Sequence, residues 1–208
     1  MIILTGNQKG GTGKSTLVLL LANYLTQVKK RRVTVIDMDD QQQLVAKAER
    51  ARILENTPAY PVIAAPGGLS LSPRFLAGRQ GEITLIDMPP KLADHLVPLL
   101  TRAAIVFCPF SYDEFSVQST LLFAIVIRKI NPGLPVVFIP NRIKTSVHYD
   151  TKLEVDKALQ SFGGVTPALA DKVDFQRITT FHTPMSLHPV TLPVLELIYE
   201  HYMLKCEQ

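Results

Sequence analysis

The run Lys9-Gly10-Gly11-Thr12-Gly13-Lys14-Ser15-Thr16 constrains this 208-residue chain more than any other stretch. It follows the apolar Met1-Ile2-Ile3-Leu4 and leads into the amphipathic stretch from Leu17 to Val28, so it predicts strand, glycine loop and helix in that order. Such a loop can cradle an anion, because closely spaced glycines let backbone N–H groups converge and the helix start adds partial positive charge. Lys14 then reaches the β- and γ-phosphates of a nucleotide, and the Ser15 hydroxyl ligates Mg²⁺. The general phosphate-loop pattern has a glycine five positions before Gly13, where this chain has Gln8, and a second lysine, Lys9, opens the loop. With equal residue usage, Lys-Gly-Gly-x-Gly-Lys-Ser/Thr arises by chance on the order of once per 10⁷ starting positions, which sets aside an accidental turn.

Acids close the next two buried strands. Val33-Thr34-Val35-Ile36 ends in Asp37-Met38-Asp39-Asp40-Gln41, and Glu82-Ile83-Thr84-Leu85-Ile86-Asp87 ends in Met88-Pro89-Pro90. Carboxylates at the C-terminal ends of parallel strands face the crevice in which α/β sheets bind ligands. Asp87 reads as a Walker B acid that reaches Mg²⁺ through a water. Further strands are predicted at Tyr60 to Ala65, Ala103 to Pro109 and Leu134 to Pro140. Helices are predicted over 41–55, 91–100, 116–130, near 151–162 and over 190–205. Pro66-Gly67-Gly68 reads as a turn, and Leu69 to Gly81 as irregular or holding one short helix. This alternation predicts one α/β domain over residues 1–208, doubly wound, with a mostly parallel sheet and helices on both faces.

Composition narrows the setting. Hydrophobic content of 47% and charged content of 19% describe a globular chain able to build a sizeable core. Cys108 and Cys206 are too far apart in sequence for a disulfide framework, and with no membrane span or signal peptide the expected address is the cytoplasm. The net charge of +4 is uneven, with 13 basic and 8 acidic side chains in residues 1–104 against 9 and 10 in the remainder. The one dense basic cluster, Lys29-Lys30-Arg31-Arg32, reads as a solvated turn, since basic runs contact nucleic acid only when presented as a patch. Cys108 lies in an apolar strand and reads as a core thiol, which excludes an iron–sulfur role. His182, His188 and His201 lack metal-ligand spacing.

The glycine loop with its extra lysine, the Asp-x-Asp-x-Gln segment and the Asp-x-Pro-Pro segment together resemble the deviant Walker A ATPases of the ParA/MinD family. The resemblance covers roughly the first 145 residues with specific motifs, and the remainder in outline. It implies ATP/ADP and Mg²⁺ as cofactors, with Gly10, Gly11, Thr12, Gly13, Lys14, Ser15 and Thr16 around the phosphates. It assigns Lys9 to the nucleotide of a partner subunit, so that hydrolysis depends on an ATP-bound homodimer. It also implies that Asp39 positions the attacking water, that Asp37 lies near Mg²⁺, and that Ser15 and Asp87 serve the metal. Asn141 reads the adenine edge through its amide, and Arg142 packs along the base or pairs with a carboxylate. Asp40 stands where the family has proline, which leaves this turn without a fixed φ.

The closest branch is the short ParA type, with no DNA-reading extension before the first strand. Its members bind DNA without sequence preference, and a centromere-binding partner stimulates hydrolysis. Membrane binding as in MinD is not expected, because the last helix carries Glu196, Glu200 and Glu207 rather than a basic face. Two other readings stay open. One is a family member that positions another cargo through its own adaptor, such as a conjugation, secretion or chemoreceptor complex. The other is a metabolic phosphate-loop enzyme resembling dethiobiotin synthetase.

Overall fold

The computed structural model describes residues 1–65 and 81–207. The Pro66-Gly67-Gly68 turn and all but the last residue of the 69–81 segment lie outside the described residues. Strands β1 (Ile2–Thr5), β2 (Arg32–Asp37), β3 (Val62–Ala64), β4 (Glu82–Asp87), β5 (Ile105–Phe110), β6 (Val136–Pro140) and β7 (Gly164–Val165) form one sheet in the order β3-β2-β4-β1-β5-β6-β7. Every neighbouring pair is parallel. The helices are α1 (Lys14–Gln27), α2 (Gln43–Ile53), α3 (Val97–Arg102), α4 (Glu114–Ile130), α5 (Lys152–Gln160) and α6 (His188–Leu197).

Strands buried on both faces read as continuous apolar runs, and their side chains alternate between two cores. Ile3, Val33, Val35, Ile83, Leu85, Phe107, Val137 and Ile139 pack under α1 and α6. Their neighbours Ile2, Leu4, Ile36, Ile86, Val106, Cys108 and Phe138 face the other way, under α3, α4 and α5. Helices therefore cover both faces, as the alternation of elements predicts. The strand order reverses direction at β1, with β4, β2 and β3 on one side and β5, β6 and β7 on the other. The crevice at such a switch point is where open α/β sheets take ligands, and the glycine loop leaves β1 there.

Several elements differ from expectation for local reasons. The predicted 91–100 helix is a short 3-10 turn at Asp94–Leu96 followed by α3, which carries a proline in its first turn. The predicted 190–205 helix begins at His188, holds Pro193 inside, widens into a π-helical turn at Ile198–Met203 and tightens again at Leu204–Cys206. Proline offers no amide to the helix ladder, and the change of pitch follows it within two turns. The two-residue β7 has no counterpart in the sequence reading, because Gly163-Gly164 resembles a turn. Both glycines are needed there, as a Cβ would lie 2.0 Å from the Val136 carbonyl oxygen at Gly163 and 2.3 Å from the Tyr202 hydroxyl at Gly164.

The apolar α4 is not an internal helix. Phe123, Ala124 and Ile127 are buried, whereas Phe115 is 74% and Leu122 57% exposed, so one face is bare. The basic cluster is more than a solvated turn, because it clamps the C-terminal region to α1. Lys29 Nζ donates to Glu196 at 2.6 Å and Glu200 at 3.1 Å and sits 4.5 Å from the Tyr199 ring centroid. Arg31 pairs with Glu207 and donates to the Tyr199 hydroxyl, while Tyr24 donates to Glu196. The acids on α6 and beyond are thus spent on this clamp, and Val194, Leu195 and Ile198 pack into the core. Among the described residues no helix is long and apolar enough to cross a membrane.

Candidate nucleotide site

Gly13 starts α1 in the left-handed region at φ 94°, and its carbonyl accepts the first helical bond from Leu17 N at 2.9 Å. A Cβ at Gly13 would fall 2.2 Å from Asn141 Nδ2, so glycine is required twice over, by conformation and by packing. Gly11 also has positive φ, at 76°. The amides of Lys14, Ser15 and Thr16 belong to the first turn of α1, where helix N–H groups have no carbonyl four residues back and are available to an anion.

The loop is braced from behind. Asn7 is 1% exposed and bridges β1 to α4, its amide donating to the Pro109 carbonyl at 3.0 Å and to the Thr120 hydroxyl at 2.9 Å. Its oxygen accepts the Lys9 amide at 3.0 Å. Asn141, at the end of β6, donates from Nδ2 to the Thr12 carbonyl at 2.8 Å, and Arg142 donates from its guanidinium to the Gly11 carbonyl at 2.9 Å. Arg142 adopts φ 59°, a left-handed strain for a side-chain-bearing residue that its anchored guanidinium helps to hold.

These elements enclose a cavity of about 340 Å³ lined by Gly10, Gly11, Gly13, Lys14, Ser15, Thr16, Asp39, Asn141 and Arg142, among others. Gln43, Pro90, Asp171, Lys172, Phe175 and Gln176 complete its lining. The sequence points to the 171–177 segment only in outline. Gln43 carries no motif, and Phe175 would be legible only as a lone aromatic in a polar stretch.

The acids divide into three roles. Asp39 borders the cavity, and its Oδ1 accepts the Gln41 amide at 2.9 Å, which turns the loop back on itself. Asp37 is fully buried and faces α2 instead. Its Oδ2 accepts the amides of Leu44 at 2.9 Å and Val45 at 3.3 Å, and its Oδ1 that of Asp39 at 3.2 Å. It therefore caps α2, whose preceding residue Gln42 is left-handed and offers no side-chain cap. Burial pushes its carboxyl up, and the three amides oppose the rise. Asp87, paired in register with Asp37 across β2 and β4, is also fully buried, yet neither carboxyl oxygen has a hydrogen-bond partner. Burial raises it to about 7; the nearby Ser15 hydroxyl opposes this, although it falls short of a formed hydrogen bond. Lys14 is lowered by burial, against the pull of Asp87 and Asp39.

A divalent cation fits this arrangement. Two orphaned buried oxygens beside a serine hydroxyl are hard donors of the kind Mg²⁺ takes, usually with retained waters and substrate phosphates. Among the described residues no group of three or more His, Cys, Asp or Glu converges as a metal set, so nucleotide phosphates would complete the shell. Lys9 does not face this cavity. It borders an adjoining second cavity of about 470 Å³, which shares Gly10, Gly11, Arg142 and Asp171 with the first and adds Thr12, Ser111, Asp113, Lys144 and Tyr149.

Comparison with known proteins agrees with the geometry. The chromosome-partitioning ATPase Soj of Treponema pallidum is 26% identical over 201 residues, spanning 80% of this chain and 78% of Soj. A plasmid partition protein from Borrelia burgdorferi bound to AMPPNP superposes with TM-score 0.72 at 22% identity, covering 98% of both chains. The septum site-determining protein MinD of Pyrococcus horikoshii, complexed with Mg-ADP, gives TM-score 0.71 at 16% identity, again over 98% of both. The model of the CobQ/CobB/MinD/ParA nucleotide binding domain matches residues 3–180, and the chain belongs to that family.

Proposed function

We propose that the chain is an Mg²⁺-dependent, partition-type ATPase that dimerises on binding ATP, each subunit's Lys9 completing the other's site. One observation carries this reading: Lys9 opens the phosphate loop yet does not line the nucleotide cavity, its ammonium being paired with Asp113 beside the second cavity. A lysine held outside its own site is available to a triphosphate on a second subunit. Lys14 and the amides of α1 would hold the β- and γ-phosphates, Ser15 and Asp87 the cation, and Asp39 would orient the attacking water. Bound Mg²⁺ would supply charge neutralisation at the phosphates and draw Asp87 into its ionised form. Asn141 supports the loop through the Thr12 carbonyl, so its amide oxygen is the half left to meet a base.

The partition role draws on membership of the family and on likeness to Soj and the Borrelia protein. It includes non-specific DNA binding by the ATP-bound dimer and a centromere-binding or other cargo adaptor that stimulates hydrolysis. Lys29 and Arg31 are neutralised by Glu196, Glu200 and Glu207, so these two members of the basic cluster contribute little to DNA contact. A second reading, phosphorylation of a small carboxylated metabolite, draws on the cations Lys9, Arg142 and Lys144 around the second cavity. Lys9→Ala tests the first, and the response of the parent protein to DNA and to metabolites separates the two. The partition reading predicts that turnover falls roughly 10²-fold or more while Mg–ATP binding persists. Turnover stimulated by a metabolite and indifferent to DNA would favour the second reading.

A further inference from the structure

Lys9 has an acceptor within its own chain. Its Nζ lies 2.5 Å from Asp113 Oδ1, and the two side chains are 33% and 46% exposed. Asp113 is held from two other directions. It caps α4 by accepting the Ser116 amide at 3.0 Å, and its second oxygen accepts the Ser111 hydroxyl at 2.5 Å. The lysine's backbone is fixed as well, because Asn7 holds the Lys9 amide and is itself bound to Pro109 and Thr120. The carboxylate is therefore a rigid post beside a fixed stretch of loop, and only the lysine's flexible stem is free to swing.

We infer that Asp113 is a positioning residue that keeps Lys9 docked in cis in the lone subunit, so that reaching a second copy's nucleotide begins with release from this carboxylate. The inference rests on the partner-lysine reading above. Partial burial pushes the Asp113 carboxyl up, but the bonds from Lys9, Ser111 and the Ser116 amide outweigh this and hold it below the usual range, so it is ionised at neutral pH. A half-exposed pair of this kind shifts an equilibrium only a few-fold, weak enough to exchange for a more highly charged triphosphate yet enough to set a threshold. Because the lysine is available to a partner only in its undocked fraction, the docked state weakens the apparent affinity of the active assembly in proportion.

Asp113→Asn isolates the charge, since asparagine caps a helix as well as aspartate does, and Asp113→Ser provides a second uncharged cap. Specific ATPase rate is measured across protein concentration at saturating Mg–ATP. Both variants are expected to reach half-maximal rate at about two- to fivefold lower protein concentration than the parent at low salt, with the gap closing as salt is added. A midpoint that stays put or rises overturns the inference. A double-mutant cycle of Lys9→Ala and Asp113→Asn on urea unfolding of the nucleotide-free protein tests the docked pair without turnover, and coupling is expected. If coupling and midpoint shift are both absent while the parent rate depends on concentration, the role of Asp113 falls alone. If coupling is present but the parent rate is independent of concentration, the partner-lysine reading fails and takes this role with it.

Discussion

Asp87 is where the chemistry of the site meets the stability of the fold. Its carboxyl titrates near 7 in the folded chain against an ordinary value of 3.8, so without a cation the folded state holds the proton more tightly than the unfolded state does. Its contribution is full below about pH 4 and is lost as pH rises through about 7, because the raised value belongs to the folded state. The metal-free protein is therefore expected to lose melting temperature between pH 5 and pH 8, with a shallower slope in Asp87→Asn; saturating Mg–nucleotide should remove most of the difference. Equal slopes in the two proteins would contradict the burial argument. Asn141 acts on the loop rather than on charge. Asn141→Ala leaves the Thr12 carbonyl unsatisfied, at a cost of about 1–3 kcal/mol, and nucleotide affinity measured by titration calorimetry should fall.

At the scale of elements, two devices tie remote parts of the chain to the site. Asp37 caps α2 from the end of β2, so Asp37→Ala should destabilise by about 1–2 kcal/mol in denaturant unfolding and loosen the turn that carries Asp39. The clamp between α1 and the C-terminal region gives a paired test. Lys29→Ala loses two ion pairs and two ring contacts and should cost about 0.5–1 kcal/mol. Lys30→Ala, for an exposed neighbour, should stay within about 0.5 kcal/mol of the parent. The five central strands of the sheet were legible in the sequence because a strand covered on both faces is largely apolar, whereas the two-residue β7 carries no such run. The glycine loop was legible because its chemistry is local in sequence. The cap made by Asp37 was not, since a strand-end acid reads the same whether it faces a metal or a helix start. Nor was the support given by Asn141, whose partner Thr12 is 129 residues away and can be identified only once β6 lies across the sheet from the loop.

For the whole molecule, the sheet order places the glycine loop at its switch point, the two cores hold it from both faces, and the lysine that opens it is paired with Asp113. On the proposed reading, a subunit built this way would carry its own phosphate cradle and take the last cation of its reaction centre from a second copy. The α4 face bearing the exposed Phe115 and Leu122 starts two residues beyond Asp113, which caps that helix and pairs with Lys9. The most direct test of this account is the specific rate of ATP hydrolysis at saturating Mg–ATP over a wide range of protein concentration. Completion of the site by a second subunit's Lys9 predicts a rate per subunit that falls steeply on dilution and levels off when concentrated. A rate per subunit that is the same at every concentration would contradict it.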